Sequence, residues 1–261
     1  MRPYALGMRI GARVASPSAR GDLAAATGRL CRAALAGLAV ASALGACGAG
    51  GSRGSGPAAT GPASSAAAQT DAGGCRQVPR PAPRSGVHEP SPDLRLDPAR
   101  SYTVTLETNC GKIDIVLAVR SAPRTAASFA WLVERGFYNG LTFHRIVPNF
   151  VIQGGDPLGN GTGGPGYSVV EAPPAGTRYT RGVVAMAKTQ SEPAGTSGSQ
   201  FFIVTAANAS LPPEYALVGH VVGSQAAIEA ISSTPRIAGP EGEESTPARP
   251  IVIERATLGS D

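Results

Sequence analysis

A mainly β domain is predicted for residues 101–261. Short runs of apolar residues recur along this stretch, many with the period of two that puts alternate side chains on one face of a strand. Turns rich in Gly, Pro and Asn separate them, and only two segments carry helical periodicity. Many short strands with two helices point to a β-barrel or a β-sandwich. The stretch, roughly 160 residues, is long enough to bury one core.

The segment YTVTLETNCGKIDIVLA, 102–118, opens the domain. Tyr102, Val104 and Leu106 share one face, and Ile113, Ile115 and Leu117 share another. Asn109-Cys110-Gly111 lies between them as a turn, so the segment reads as a β-hairpin. A helix is expected over 122–136. Pro123 suits its first turn, Gly136 suits a C-terminal stop, and Phe129, Leu132 and Val133 recur at helical spacing. Trp131 lies off that stripe and is expected to pack only in part. Strands follow at 141–147, 150–155, 182–187, 199–206, 216–222 and 250–258. A second helix is expected over 224–233, capped by Ser224, with Ala227, Ile228 and Ile231 facing inward.

Residues 1–100 read differently. The chain has 23 Lys+Arg against 18 Asp+Glu, and residues 1–46, with six arginines and one aspartate, hold the whole excess. The remainder balances at 17 of each sign, so it presents no basic surface suited to nucleic acid. Arg29 and Arg32 precede AALAGLAVASALGA, 33–46. That apolar run is short for a bilayer span and suits the apolar region of a signal peptide. It ends in LGAC, 44–47, which resembles a bacterial lipobox. Residues 1–46 are therefore expected to be a lipoprotein-type signal peptide. Cys47 is expected to carry the lipid and to anchor an extracytoplasmic protein to the cell membrane.

Residues 47–100 read as a flexible tether. Its first part, 48–74, is almost entirely Gly, Ala, Ser, Thr and Pro, and 76–100 is an extended arm rich in Pro and Arg. Of the four cysteines, Cys31 leaves with the leader and Cys47 takes the lipid. Cys75 and Cys110 remain as an even pair in an oxidising compartment, where a disulfide is expected.

The stretch FHRIVPNFVIQGGD, 143–156, carries an anomaly. Arg is rarely fully buried unless it is paired, yet Arg145 sits in an apolar run that ends at Gly154-Gly155. Either its head snorkels from a strand end to water, or it is a donor held at the rim of an apolar cleft. Other chemistries fit poorly. GNGTGGPG, 159–166, lacks the Gly-Lys-Ser/Thr ending of a phosphate loop, and Pro165 spoils the helix start that should follow. His88, His144 and His220 have no spacing of metal ligands. No Gly-x-Ser-x-Gly occurs. No metal and no cofactor are expected.

Three blocks taken together carry a resemblance: FHRIVPNFVIQGGDPLGNGTGGPGY (143–167), RGVVAMA (181–187) and GTSGSQFFIVTA (195–206). They resemble the cyclophilin family of peptidyl-prolyl cis-trans isomerases, with order and spacing held from about Tyr102 to Leu258. The resemblance implies an eight-stranded antiparallel closed β-barrel capped by two α-helices. It also implies that Arg145 is the catalytic arginine and that Gln153 helps hold the substrate and the arginine. Cleft residues fall on Phe150, Val151, Ala187, Gln200, Phe202, Leu211 and Tyr215, and backbone-contact positions on Lys188 and Thr189. Four positions depart from the best-known eukaryotic pattern: Val151 stands for Met, Lys188 for Asn, Ser210 for Trp and Tyr215 for His.

A chemical role follows for Arg145. The X–Pro bond rotates slowly because resonance gives its C–N bond partial double-bond character, with a barrier of roughly 18–20 kcal/mol. Halfway through rotation the resonance is lost, and the prolyl nitrogen becomes an acceptor that a planar amide nitrogen is not. A donor aimed there binds the transition state better than either ground state. Arg supplies several N–H groups in a fixed plane and never deprotonates. The expected partners are proline-containing peptides and unfolded exported proteins, with the membrane reached through the lipid and cyclosporin bound weakly. A monomer is expected. A proline-peptide binding or chaperone-like module with incidental turnover is the alternative.

Overall fold

The computed structural model describes residues 74–240 and 242–261. The expected signal peptide, Cys47 and the expected tether as far as residue 73 lie outside the described residues. Among the described residues, no helix is long and apolar enough to cross a membrane.

The described residues form twelve strands and two helices in the order β1 (Tyr102–Thr108), β2 (Gly111–Leu117), α1 (Pro123–Glu134), β3 (Leu141–Val147), β4 (Val151–Asp156), β5 (Val169–Val170), β6 (Val183–Met186), β7 (Thr196–Ser197), β8 (Phe201–Val204), β9 (Leu217–Val222), α2 (Gln225–Ser232), β10 (Arg236–Ala238), β11 (Glu244–Pro247) and β12 (Val252–Ser260). Eight of them close a barrel in the order β1-β12-β3-β4-β8-β6-β9-β2. Every neighbour pair in it is antiparallel. Two small sheets, β5-β7 and β10-β11, stand beside it.

The barrel interior follows from the period of two. Val104 and Leu106 of β1 and Ile113 and Ile115 of β2 are fully buried, in one cluster with Ile146, Ile152, Val184, Met186, Phe201, Ile203 and Val218. Each such side chain stabilises the fold by about 1.5–3 kcal/mol relative to exposure. Phe201 is the hub, with ring centroids 5.4 Å from Phe129 and 5.7 Å from both Tyr138 and Phe143. Phe201→Ala would therefore cost about 3–5 kcal/mol. α1 packs on β9 and β12, and α2 on β2 and β3.

The helix ends differ from a simple cap reading. No side chain of its own caps α1. Instead the Glu171 carboxylate accepts from the backbone N–H groups of Arg124 (3.1 Å) and Thr125 (2.7 Å), which supplies both acceptor and negative charge at the helix N-terminus. Ser224 precedes α2 but makes no cap bond. Its hydroxyl accepts from Asp114 N and donates to Val222 O, stitching β2 to the end of β9. Ala227, Ile228 and Ile231 face the core, and Trp131 is half-buried beneath Arg135.

The reading of 47–100 as flexible needs correction for its last quarter-hundred residues. From Cys75 onward the arm is a strap docked on the barrel. Cys75 and Cys110 form a disulfide. Arg76 N donates to Asn109 O, Arg84 N to Pro157 O and Glu89 N to Pro165 O, each at 2.7 Å. Val87, Leu94 and Leu96 pack against the main core. Pro/Arg composition suggested an extended arm, and apolar residues spaced among the prolines dock that arm on the barrel. The strap's backbone donors meet loop carbonyls instead of water.

Candidate active site

On β4 and β8, which carry Val151, Gln153 and Phe202, both faces are buried. Phe201 and Ile203 of β8 point into the main core, whereas Phe202 and Val204 join a second cluster. β4 divides likewise, with Ile152 inside and Val151 in the second cluster. That is why VIQGGD and FFIV read as continuous apolar or buried runs rather than as alternation. The second cluster holds Val151, Tyr179, Ala185, Phe202, Val204, Ala206 and Tyr215, with Phe150, Val183, Ala187, Ala209 and Leu211 packed on it.

Strand register draws a line of residues across the wall. Arg145 of β3 pairs with Gln153 of β4, Gln153 with Phe202 of β8, and Phe202 with Ala185 of β6. A permanently charged donor thus stands at one end of an apolar recess floored by Phe202. Register shifts in β3 around Phe143 meet the Gly154-Gly155 break. Gly155 has φ +83°, and a Cβ on it would lie 2.5 Å from Ser199 O, so no other residue fits there without moving β8.

Arg145 keeps 21% of its side chain exposed and donates through Nη2 to Glu243 at 3.0 Å. Its Nη1 has no hydrogen-bond partner in the protein. Gln153, 6% exposed, does not take the arginine. It donates to Gln200 Oε1 at 3.1 Å, and Gln200 Nε2 donates to Gly161 O and Gly163 O at 3.0 and 2.9 Å. The Gln153 Nε2 donor is thus engaged across the strand, while the hydrogen bond of the guanidinium runs to Glu243. The glycine-rich loop is an amide bracket. Asp156 fixes it by accepting from Leu158 N, Asn160 N and Gly161 N, and a Cβ on Gly163 would collide with the Asp156 carboxylate.

The far side of the recess is aromatic. Tyr215 packs edge-on against Phe202 at 5.4 Å and Tyr179 at 5.8 Å. The Tyr179 hydroxyl donates to Tyr215 O and accepts from Tyr215 N, at 2.7 and 2.9 Å. Burial pushes the Tyr179 phenol up to about 12, so it stays protonated and able to donate. Lys188, its side chain 3% exposed, pairs with Glu214 at 3.4 Å and donates to Thr189 O and Glu192 O. Its ammonium also lies 5.6 Å from the Tyr215 ring centre. Thr189 is tied to the Glu192 carboxylate through its N–H and its hydroxyl. Lys188 and Thr189 thus brace the 188–192 loop with their side chains. His144, next to Arg145, has both ring nitrogens buried without partners. Burial, and secondarily the neighbouring guanidinium, lower its pKa to about 4 against the pull of Asp156, so it is neutral at ordinary pH.

Sequence reasoning missed Tyr179, Asp156 and Glu243. Tyr179 lies outside any strand, where no periodicity marks it. Asp156 was visible as the end of QGGD, but its bonds run to a loop. Glu243 lies in the turn of β10-β11, whose strands carry no apolar alternation.

The closed antiparallel barrel, with an arginine in register with a second apolar cluster on its wall, defines a closed β-barrel protein with two helices. Comparison with known proteins narrows the class. The family model described as cyclophilin type peptidyl-prolyl cis-trans isomerase/CLD matches residues 103–258. Peptidyl-prolyl cis-trans isomerase A of Mycobacterium tuberculosis is 35% identical over 178 residues, covering 62% of this chain and 94% of that protein. Peptidyl-prolyl cis-trans isomerase B of Streptomyces anulatus is 36% identical over 177 residues, covering 61% and 98%. A crystal structure of a Cryptosporidium parvum cyclophilin type peptidyl-prolyl cis-trans isomerase, determined in the presence of the dipeptide Ala-Pro, superposes with a TM-score of 0.55 at 28% identity, covering 61% of this chain and 99% of that one. The chain belongs to the cyclophilin-type peptidyl-prolyl cis-trans isomerases.

Proposed function

We propose that the chain isomerises X–Pro bonds in exported proteins at the cell surface, with Arg145 stabilising the twisted transition state. The observation that carries this reading is the row Arg145–Gln153–Phe202–Ala185. It sets a donor at the edge of a recess lined by Phe150, Val151, Phe202, Leu211 and Tyr215, apolar and suited to a pyrrolidine ring. With the ring seated there, the residue before proline is free to swing beside the Arg145 guanidinium, whose side chain keeps 21% of its surface exposed. The crystal structure obtained with Ala-Pro supports a proline peptide as the ligand class. Nothing in the step transfers a proton or forms a covalent bond. Catalysis is the difference in hydrogen bonding between planar and twisted amide.

Isomerisation of an Ala-Pro peptide by wild type and Arg145→Ala tests the assignment. Loss of a single transition-state donor lowers kcat by roughly 100-fold or more. Equal rates would leave a proline-binding module. Anchoring is proposed at Cys47, diacylated, because two acyl chains hold a protein stably where one does not. The segment from Cys47 to Cys75 would then give a reach of roughly 30 Å. Cys47→Ser should release the protein or block its processing; normal processing with retention at the membrane would remove the lipobox reading.

A further inference from the structure

Arg145 is a long side chain with four rotatable bonds, and a catalytic donor must be held in one rotamer to act. The Gln153 Nε2 group donates to Gln200. The guanidinium is instead gripped from outside the barrel. Glu243 Oε2 accepts from Arg145 Nη2 at 3.0 Å. Glu243 lies beside Glu244, the first residue of β11, and β11 packs against β3, the strand that carries Arg145. The turn is braced locally: Gly239 N donates to Glu243 O at 2.7 Å, and Ser245 N donates to the same oxygen at 2.8 Å. The carboxylate thus reaches Arg145 from a fixed backbone, although its side chain is 44% exposed.

We propose that Glu243 is the positioning residue of the catalytic arginine. It anchors Nη2 and thereby fixes the plane of the guanidinium that serves the substrate. The β10-β11 hairpin is accordingly part of the catalytic unit and not a surface ornament. The inference rests on Arg145 being the transition-state donor. A carboxylate suits this task because it is acceptor-only and matches the flat fork of Arg. A glutamine at 243 retains one acceptor oxygen but not the charge.

The test compares Ala-Pro peptide isomerisation in wild type, Glu243→Ala, Glu243→Gln, Arg145→Ala and the Arg145→Ala/Glu243→Ala double variant, with thermal unfolding of each. Glu243→Ala is expected to lower kcat/KM about two- to fivefold, the scale of a half-exposed pair. The loss should fall in kcat, with the melting temperature held. Glu243→Gln should recover part of it. In the Arg145→Ala background, Glu243→Ala should change nothing further, because residues acting through one another are not additive. If Glu243→Ala keeps the wild-type rate while Arg145→Ala is impaired, the positioning role is overturned and the arginine stands. A faster Glu243→Ala would mark the carboxylate as a competitor of substrate and also overturns it. An unimpaired Arg145→Ala would instead remove the reading on which the inference rests.

Discussion

Gln153 donates to Gln200 at 3.1 Å, and Gln200 in turn holds the carbonyls of Gly161 and Gly163. One amide therefore links the middle of β4, which pairs directly with the arginine strand, to a loop that Asp156 also holds at the end of the same strand. Gln200→Ala should free both carbonyls and leave the Gln153 amide without its acceptor. We expect kcat/KM for an Ala-Pro peptide to fall by roughly tenfold, the equivalent of about 1.4 kcal/mol and of one lost hydrogen bond left unsatisfied. KM should carry part of the loss, since the wall loosens. Wild-type kinetics in Gln200→Ala would show that the bracket is not part of the working site.

The disulfide closes 35 residues of chain and holds a strap that also buries Val87, Leu94 and Leu96. In the chain-entropy model such a loop is worth up to about 4 kcal/mol. Removing it with Cys75→Ser/Cys110→Ser, or by reduction, should lower the melting temperature by roughly 5–12 °C for a domain of this size. The barrel should remain folded, since its strands close without the strap. Equal melting temperatures for oxidised and reduced protein would show that the docked strap holds without its covalent pin.

The barrel strands were legible from apolar alternation, as in β1 and β2, or from short apolar runs, as in β4 and β8, and the hairpin 102–118 matched to within a residue or two. The small sheets were not. β5 and β7 have two residues each, too short for any period. In β10-β11, the pair Arg236–Ala238 and Glu244–Pro247 offers one exposed Ile237 and a proline that argues against a strand. Missing that hairpin hid Glu243. Of the cleft, Arg145 stood out because a guanidinium in an apolar run is anomalous. The apolar floor was placed by resemblance and then gathered by strand register. Tyr179 was invisible because its role is a pair of hydrogen bonds to the backbone of Tyr215, which no sequence spacing encodes.

His144 sets an acid limit on stability. Its folded pKa lies at about 4, below the ordinary 6.5, chiefly because burial disfavours the imidazolium. Between those values the unfolded chain binds the proton and the folded chain does not. Stability from this group is thus fully present above about pH 6.5 and is lost as pH falls toward 4, by on the order of 3 kcal/mol. Denaturant titrations across pH 4–7 should show this slope, and His144→Gln should flatten it. An equally steep slope in His144→Gln would assign the effect to other groups.

Ser210 stands where the resemblance implies a tryptophan in the best-known eukaryotic pattern, and the chain is proposed to bind the cyclic peptide cyclosporin weakly. Ala209 and Leu211 on either side pack on the second cluster, but Ser210 is exposed and has φ 53°. Its N–H is held by Asn208 Oδ1 at 3.0 Å. An indole here would border the groove and supply an apolar contact of the kind whose truncation commonly costs a few kcal/mol at interfaces. It would also have to adopt the left-handed backbone that Ser210 occupies, at roughly 1–2 kcal/mol. Ser210→Trp should therefore tighten cyclosporin inhibition by at least tenfold, or about 1.4 kcal/mol, while lowering the melting temperature. Its kcat/KM on Ala-Pro peptides should stay near wild type, because Arg145 and the Phe202 floor are untouched. Inhibition constants and thermal unfolding measured side by side separate the two effects. Full drug sensitivity in the wild type, or no gain in Ser210→Trp, would show that this position does not govern cyclosporin binding.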